Sequence, residues 1–330
     1  MTKSHGPRTA ASTLLIQASD ACAGIARLMQ LNHEEVTSPP RASASVVLLR
    51  DAPSDPRGLE VFLLRRHTAS AVLGGAYVFP GGKLDAADCA PSLHAHLDRA
   101  SHELLQALGE PDLDAPTAAG LYVAAVREAL EECGVLYARA RDGQQPLHDA
   151  RQRQQWQQQL HAGQGFEQMV QEAALAIDTE QLAPWSRWIT PRVPSITNKR
   201  FDTRFFVAVL PAQQEPVHDN VEAVDSVWLT PREALTRYWQ GELVLAPPQI
   251  MTLVSLVPHR SAHSVLELAK RQAPALVEPQ PFEEAGVRHI AYPGDPKHSR
   301  SERAFIGPTR LQFKNGRFEP AGGLDVLLNP

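Results

Sequence analysis

The sequence predicts an α/β fold, and three features carry that reading. Two apolar, β-branched runs, SASVVLLR at 43–50 and EVFLLRR at 60–66, lie close enough to pair as an antiparallel hairpin with a longer loop. A strong amphipathic helix follows at 118–133. Strands then resume at 185–190, 204–210 and 226–230, so that strands and helices alternate along the chain.

In chain order, residues 1–42 read as a peripheral N-terminal extension. A short helix is expected around 21–31, and Ser38-Pro39-Pro40 reads as a linker. The ordered domain begins at 43, its first strand ended by the turn-rich DAPSDPRG. GGAYVFPGGKLDAAD, 74–88, reads as a brief aromatic strand broken at Pro80-Gly81-Gly82. Helical character at 93–108 ends in the turn-forming GEPDLDAPT, and the helix at 118–133 stops at Gly134. The Gln-rich stretch within 141–181 carries spaced apolar residues and predicts a polar surface helix pair. Pro231 suits the first turn of a helix running to 239. Residues 251–271 are expected to be helical with an interruption near Pro258, and from Pro274 the chain is Pro/Gly-rich with short β-like runs. The resulting division is an extension at 1–42, a principal domain at 43–245 and a C-terminal extension at 246–330. No internal repeat is present.

Composition excludes several classes. Hydrophobic residues make up 43% of the 330 and charged ones 21%, enough apolar surface for a sizeable core, which rules out global disorder. A formal net charge of -5 argues against a nucleic-acid partner. No apolar run approaches the ~20 residues of a membrane helix, so no membrane partner is expected. Cys22, Cys89 and Cys133 form no Cys-x-x-Cys pair, which argues against a disulfide scaffold or structural zinc and for reduced thiols.

Chemistry concentrates in Arg127-Glu128-Ala129-Leu130-Glu131-Glu132-Cys133-Gly134-Val135. At about 100° per residue, Tyr122, Val126, Ala129, Leu130 and Cys133 share one apolar stripe. Glu128, Glu131 and Glu132 fall on the opposite face within about 100° of one another. Three such charges repel. Either they form a solvated acidic face, or a divalent cation with hard-oxygen preference offsets them; helix geometry alone does not choose. Cys133, on the stripe, reads as core rather than nucleophile. His94, His96 and His102 read as residues of an exposed helix rather than zinc ligands, and Tyr77 and Phe79 as packed strand aromatics.

Residues 127–135 match R-E-U-x-E-E-x-G-U, the second half of the nudix box, at every defined position, and the chain is identified as a member of the nudix hydrolases. The first half, G-x5-E, is met at Gly82 through Asp88, with Asp in place of Glu, after the usual entry Phe79-Pro80-Gly81-Gly82. Residues 89–126 separate the halves, about 31 more than the family's seven, so an insertion spans about 89–117. A box split this way resembles that of the peroxisomal-type coenzyme A diphosphatases. The likeness extends through WSRWITP, KRFDTRFFVAVLP, VWLTPREAL, LAPPQI and YPGDP. A further coenzyme-A-associated pattern fits at Arg66, Gly75 and 79–82 and departs at Leu64, His67 and Ala71.

The resemblance implies a nudix α/β/α sandwich with a mixed β-sheet, a helical insertion and a C-terminal extension, the nudix domain being 43–245. It implies Mg2+ or Mn2+ held by Glu128, Glu131 and Glu132, with Glu128 as ligand or general base, Arg127 orienting the glutamates, and Glu128, Arg127 and Glu132 as the catalytic set. Gly81 and Gly82 would let the backbone approach the metal helix and touch phosphate. Arg66 is a candidate substrate contact. Lys199, Arg200 and Arg204 are candidates for a 3′-phosphate, since Arg pairs with phosphate through two parallel bonds. Asp85 and Asp88 read as outer ligands or as a polar turn and N-cap, and Glu222 and Asp225 as later acidic ligands or an exposed hairpin. Pro293-Gly294-Asp295-Pro296 reads as a tight turn.

The implied function is metal-dependent hydrolysis of coenzyme A or acyl-CoA to 3′,5′-ADP and (acyl-)4′-phosphopantetheine. The alternatives are hydrolysis of ADP-ribose, dinucleotides or other nucleoside diphosphate derivatives, and a nudix-fold binding module without catalysis. The opening MTKSHGPRTAAS lacks the long apolar run of a secretory leader, and 327–330, LLNP, differs from the Ser-Lys-Leu type of peroxisomal address. A cytoplasmic location is therefore expected.

Overall fold

The computed structural model describes residues 32–53, 58–70, 72–141, 149–194, 196 and 199–330. The expected helix at 21–31, most of the N-terminal extension, Cys22 and Ala71 lie outside the described residues. Strand β1 (Arg41–Asp51) turns back antiparallel into β2 (Leu59–Arg66), Leu49 facing Val61. Two short strands follow: β3 (Tyr77–Val78) on β2, and β4 (Gly81–Lys83) on β1 with Gly81 opposite Ser45. After a 3-10 turn at Ala86–Cys89, the insertion folds as helices α1 (Pro91–His94) and α2 (Ser101–Leu108) and runs into α3 (Ala115–Cys133).

Next come β5 (Ala138–Ala140), α4 (Ala150–His161), α5 (Phe166–Glu172) and β6 (Leu175–Ile177). Strands β7 (Leu182–Ile189), β8 (Phe201–Val209) and β9 (Ala223–Leu229) complete most of the main sheet. They are followed by α6 (Pro231–Gln240), α7 (Pro247–Leu256), α8 (Ala262–Arg271) and β10 (Ala275–Val277). The chain ends in a small antiparallel sheet, β11 (Gln280–Glu284), β12 (Val287–Ala291), β13 (Arg310–Lys314) and β14 (Arg317–Glu319), and a last turn of helix, α9 (Leu324–Leu328).

The main sheet has the order β10-β7-β8-β1-β2-β3, with β4 also on β1 and β9 on β2. It is mixed: β1 runs parallel to β8 and β10 to β7, while the remaining pairs are antiparallel. The run SASVVLLR is apolar at consecutive positions because both faces of β1 are covered. Val46 and Leu48 join Phe206 and Ala208 beneath α3, whereas Val47 and Leu49 join Phe205 and Val207 beneath α7 and α8. The result is the α/β/α sandwich.

Three expectations shift. Helix α3 starts at 115 rather than 118, since Asp114 caps it, accepting the Thr117 N–H at 2.8 Å, and Pro116 falls in the first turn, where its missing N–H costs nothing. The helix expected at 93–108 is two helices, parted where Leu97 bridges to Ile177. The boundary at 245 falls inside the sandwich. Ile250, Leu253, Val254, Val265 and Leu266 share one core with Val47, Leu49 and Val61, so α7 and α8 form its third layer rather than an extension. Exposed as bare sheet, that face would leave the apolar side chains of β1 and β2 in water. The Gln-rich pair is amphipathic, with Trp156, Leu160, Phe166 and Met169 buried. Among the described residues no helix is long and apolar enough to cross a membrane.

Candidate functional site

The site forms where β4 crosses α3. The Gly81 N–H donates to Glu132 Oε2 at 2.9 Å. Gly82 lies so close to Glu128 that a Cβ placed there would sit 2.2 Å from Oε1. The two half-boxes are therefore in contact despite the insertion between them. The acidic face of α3 is opposite its apolar stripe, as the wheel predicts, but strand β4 covers it. Glu128 and Glu132 are buried, at 9% and 5% exposure, and Glu131 is half-buried, so a solvated acidic face does not describe them.

Arg127 ties the cluster together. Its Nε and Nη2 hold Asp88 Oδ1 and Oδ2, both at 2.9 Å, and Nη1 reaches Glu128 Oε1 at 2.8 Å and Glu131 Oε2 at 3.1 Å. Its Nη2 also donates to the Lys83 carbonyl. Asp88 is buried as the counter-ion of Arg127 and accepts the Asp85 N–H at 2.9 Å, closing the turn; Asp85 binds Lys83 Nζ at 2.8 Å. The polar-turn reading of both thus has direct contacts.

Burial, reinforced by the charge of Glu131, pushes Glu128 up to about 7 against the pull of Arg127. Burial and then the charge of Glu128 hold Glu132 well above the usual carboxylate range. Two buried, mutually repelling carboxylates form a donor set of hard oxygens, which fits Mg2+ or Mn2+ in chemistry. Among the described residues, no three Asp, Glu, His or Cys groups already converge as a metal cage; Arg127 pairs with Glu128 and Glu131 instead.

A cleft of about 480 Å3 opens from this cluster across the sheet face beneath α7. Glu128, Gly82, Arg66 and Glu222 line its carboxylate end, and Ser43, Ser45, Thr203 and Phe205 its floor. Glu222 pairs with Arg66 at 3.6 Å, and Arg66 Nε is buried without a partner. Asp225 instead accepts the Tyr77 hydroxyl at 2.8 Å, and burial, then this bond, raises Tyr77 to about 12.

Arg204 does not reach the cleft. It lies between Thr203 and Phe205, which line it, so strand alternation turns Arg204 to the other face of the sheet. There it is 3% exposed and clamps Glu110 of the insertion, Nε to Oε1 at 2.9 Å and Nη2 to Oε2 at 2.5 Å, with Asp202 alongside. Arg200 is likewise engaged by backbone, donating to the Thr190 and Ser38 carbonyls at 3.0 and 3.4 Å. The Arg204 guanidinium is thus committed to Glu110, and Arg200 is not among the residues that line the cleft. Lys199 does line the cleft, and so do Lys83 and Arg41. Arg41 was assigned by sequence to the N-terminal extension. The missed signal is the period of two: Arg41, Ser43 and Ser45 share one side of β1.

The remaining candidates are structural. Cys133 is buried, its Sγ donating to the Ala129 carbonyl, and burial pushes its thiol up. His96 is buried rather than exposed and bonds the Leu175 carbonyl at 2.7 Å; His94 bonds the Asp88 carbonyl at 3.0 Å. Asp295, in the expected turn, is bound by Arg310 through both oxygens at 2.7 and 2.9 Å.

Comparison with known proteins gives concordant matches. The model of the NUDT19 Nudix domain matches residues 40–256, a span that includes α7. The acyl-coenzyme A diphosphatase NUDT19 of Xenopus laevis is 27% identical over 304 residues, covering 78% of this chain and 79% of that protein. The Homo sapiens protein of the same name is 30% identical over 227 residues, 60% of each chain. The crystal structure of a NUDIX hydrolase from Alicyclobacillus acidocaldarius is 30% identical with a TM-score of 0.57, covering 72% of this chain and 98% of that one.

Proposed function

The chain belongs to the nudix hydrolase family described by the NUDT19 Nudix domain, and on that premise we propose that it hydrolyses the diphosphate of coenzyme A or an acyl-coenzyme A. The products are 3′,5′-ADP and (acyl-)4′-phosphopantetheine. The observation that carries the reading is one cleft with the box carboxylate Glu128 at one end and the cations Arg41 and Lys199 along its wall. Similar proteins named acyl-coenzyme A diphosphatase support the substrate.

Water adds to one phosphorus, the anhydride P–O bond breaks, and the other phosphate leaves with the bonding electrons. In this reading Glu128, Glu131 and Glu132 supply the carboxylate oxygens for Mg2+ or Mn2+. When bound, such an ion offsets phosphate charge and acidifies the attacking water. Glu128, which lines the cleft, serves either as a ligand or, where Glu131 and Glu132 alone hold the ion, as the base that takes the water's proton, and Arg127 fixes the rotamers of Glu128 and Glu131. Gly81 and Gly82 keep β4 close enough to seat the carboxylates. Arg66 faces the diphosphate, and Arg41 joins Lys199 at the 3′-phosphate, for which the sequence offered Lys199, Arg200 and Arg204. Along β1, Arg41 is four residues from Ser45, roughly 13 Å at the rise of a strand, a span that an arginine side chain and a ribose can bridge. The free thiols Cys89 and Cys133 suit a reducing cytoplasm.

The test is kcat/KM across coenzyme A, dephospho-CoA, ADP-ribose and NADH. Coenzyme A is expected to lead; a clear preference for ADP-ribose or NADH keeps the nudix chemistry and removes the coenzyme A assignment.

A further inference from the structure

Gln249 lies in the first turn of α7, in the roof of the cleft. It is 8% exposed, yet its Oε1 is buried with no hydrogen-bond partner. A buried acceptor without a donor costs free energy in the protein alone, and a ligand that brings the donor relieves that cost. The surroundings narrow the ligand. Pro247 and Pro248 have no N–H, and the Ile250 N–H is bonded to the Ala246 carbonyl. This helix start therefore lacks the row of free donors that holds anions. A neutral hydrogen-bonding group suits it better than a phosphate.

The neighbouring walls are flat and stiff: the rings of Pro248, Pro281, Trp188 and Phe205 line the same cleft. Stiff apolar faces bury a planar ring with little loss of rotamer freedom, whereas a flexible arm loses more. Arg41, also on the cleft, provides a cation for a phosphate on the attached ribose.

We infer that Gln249 reads the nucleobase of the substrate. Oε1 is shielded in the free protein, so the carboxamide turns about its last torsion into the cleft that Gln249 lines; there Oε1 accepts from the exocyclic amino group of adenine and Nε2 donates to a ring nitrogen, the pairing geometry that carboxamides use on that base. This deepens the coenzyme A reading and rests on it for the presence of adenine, although the site would serve any adenine nucleotide.

The test is calorimetric titration of the full chain, wild type and Gln249→Met, with 3′,5′-ADP and separately with 4′-phosphopantetheine. Methionine keeps the volume and removes both polar ends. The Kd for 3′,5′-ADP is expected to rise about tenfold or more, and that for 4′-phosphopantetheine to stay within about twofold. The Tm of the free variant should be no lower than wild type, because the deleted acceptor had no partner. Gln249→Glu, which keeps the shape but loses the amide donor, should also weaken 3′,5′-ADP. Unchanged 3′,5′-ADP binding in both variants overturns the inference, as does a loss confined to 4′-phosphopantetheine. A large drop in Tm would show a structural partner for the carboxamide and overturn it as well. Failure of the substrate reading looks different. Wild type that turns over ADP-ribose and not coenzyme A loses that reading, while weaker binding of AMP to Gln249→Met still upholds the nucleobase contact.

Discussion

Gly81 and Gly82 are neighbours in one strand, yet alanine at each should fail differently. At Gly82 the added Cβ would sit 2.2 Å from Glu128 Oε1, about 1.2 Å inside ordinary contact, and the atom it meets is the end of a side chain. Glu128 has to swing, leaving its 2.8 Å bond to Arg127. A displacement of about 1 Å in a reacting group costs on the order of 10²-fold in rate, while the backbone need not move. At Gly81 the Cβ would meet backbone, the Ala44 carbonyl oxygen at 2.5 Å and Ser45 Cα at 2.6 Å. That clash pries β4 off β1 and should cost about 2–3 kcal/mol, or about 3–4 °C in Tm for a chain of 330 residues. Steady-state hydrolysis of coenzyme A and thermal melts of the two variants separate the cases. Gly82→Ala should keep its Tm within about 1 °C and lose about 10²-fold in kcat, and Gly81→Ala should show the loss of about 2–3 kcal/mol in denaturant melts. Near-wild-type turnover in a folded Gly82→Ala protein would mean that Glu128 is not held where the chemistry needs it.

Glu132→Gln keeps an oxygen for the Gly81 N–H and removes a buried charge, so metal-free Tm should hold or rise while kcat falls about 10³-fold, some 4 kcal/mol of lost stabilisation. Activity within about threefold of wild type, or full activity in excess EDTA, would contradict the carboxylate assignment. Arg204→Ala strips a partner from the buried Glu110 and should cost about 3 kcal/mol by denaturant melts, without changing the preference for coenzyme A over dephospho-CoA. Arg41→Ala should do the reverse, leaving Tm in place and narrowing that preference about tenfold in kcat/KM.

Local chemistry made the box, the hairpin of β1 and β2 and helix α3 readable in the sequence. The contacts that decide roles are non-local. That β4 lies over the acidic face of α3 cannot be inferred from the helix, so Glu128 and Glu132 read equally well as solvated until Gly81 and Gly82 are seen against them. Asp88 meets Arg127 across the whole insertion, a distance in sequence that hides the pairing. For the basic run 199–204, proximity in sequence misled where periodicity would have served. Thr203 and Phe205 face the cleft, which sends Arg204 to the opposite side, and the same alternation from Ser43 brings Arg41 in. The boundary at 245 leaves α7 and α8 in an extension, and at 251–271 the sequence predicts only a helix interrupted near Pro258. Yet Ile250, Leu253 and Val254 are too apolar for a surface, and burial under the sheet is what that composition requires.

Mass spectrometry of the products formed from coenzyme A by the purified chain with Mg2+ bears on all of this at once. Cleavage within the diphosphate yields equal amounts of 3′,5′-ADP and 4′-phosphopantetheine, and the account predicts that pair in the wild type and its loss in Glu132→Gln. Intact coenzyme A after prolonged incubation with either metal, or release of inorganic phosphate with dephospho-CoA in place of that pair, would contradict it.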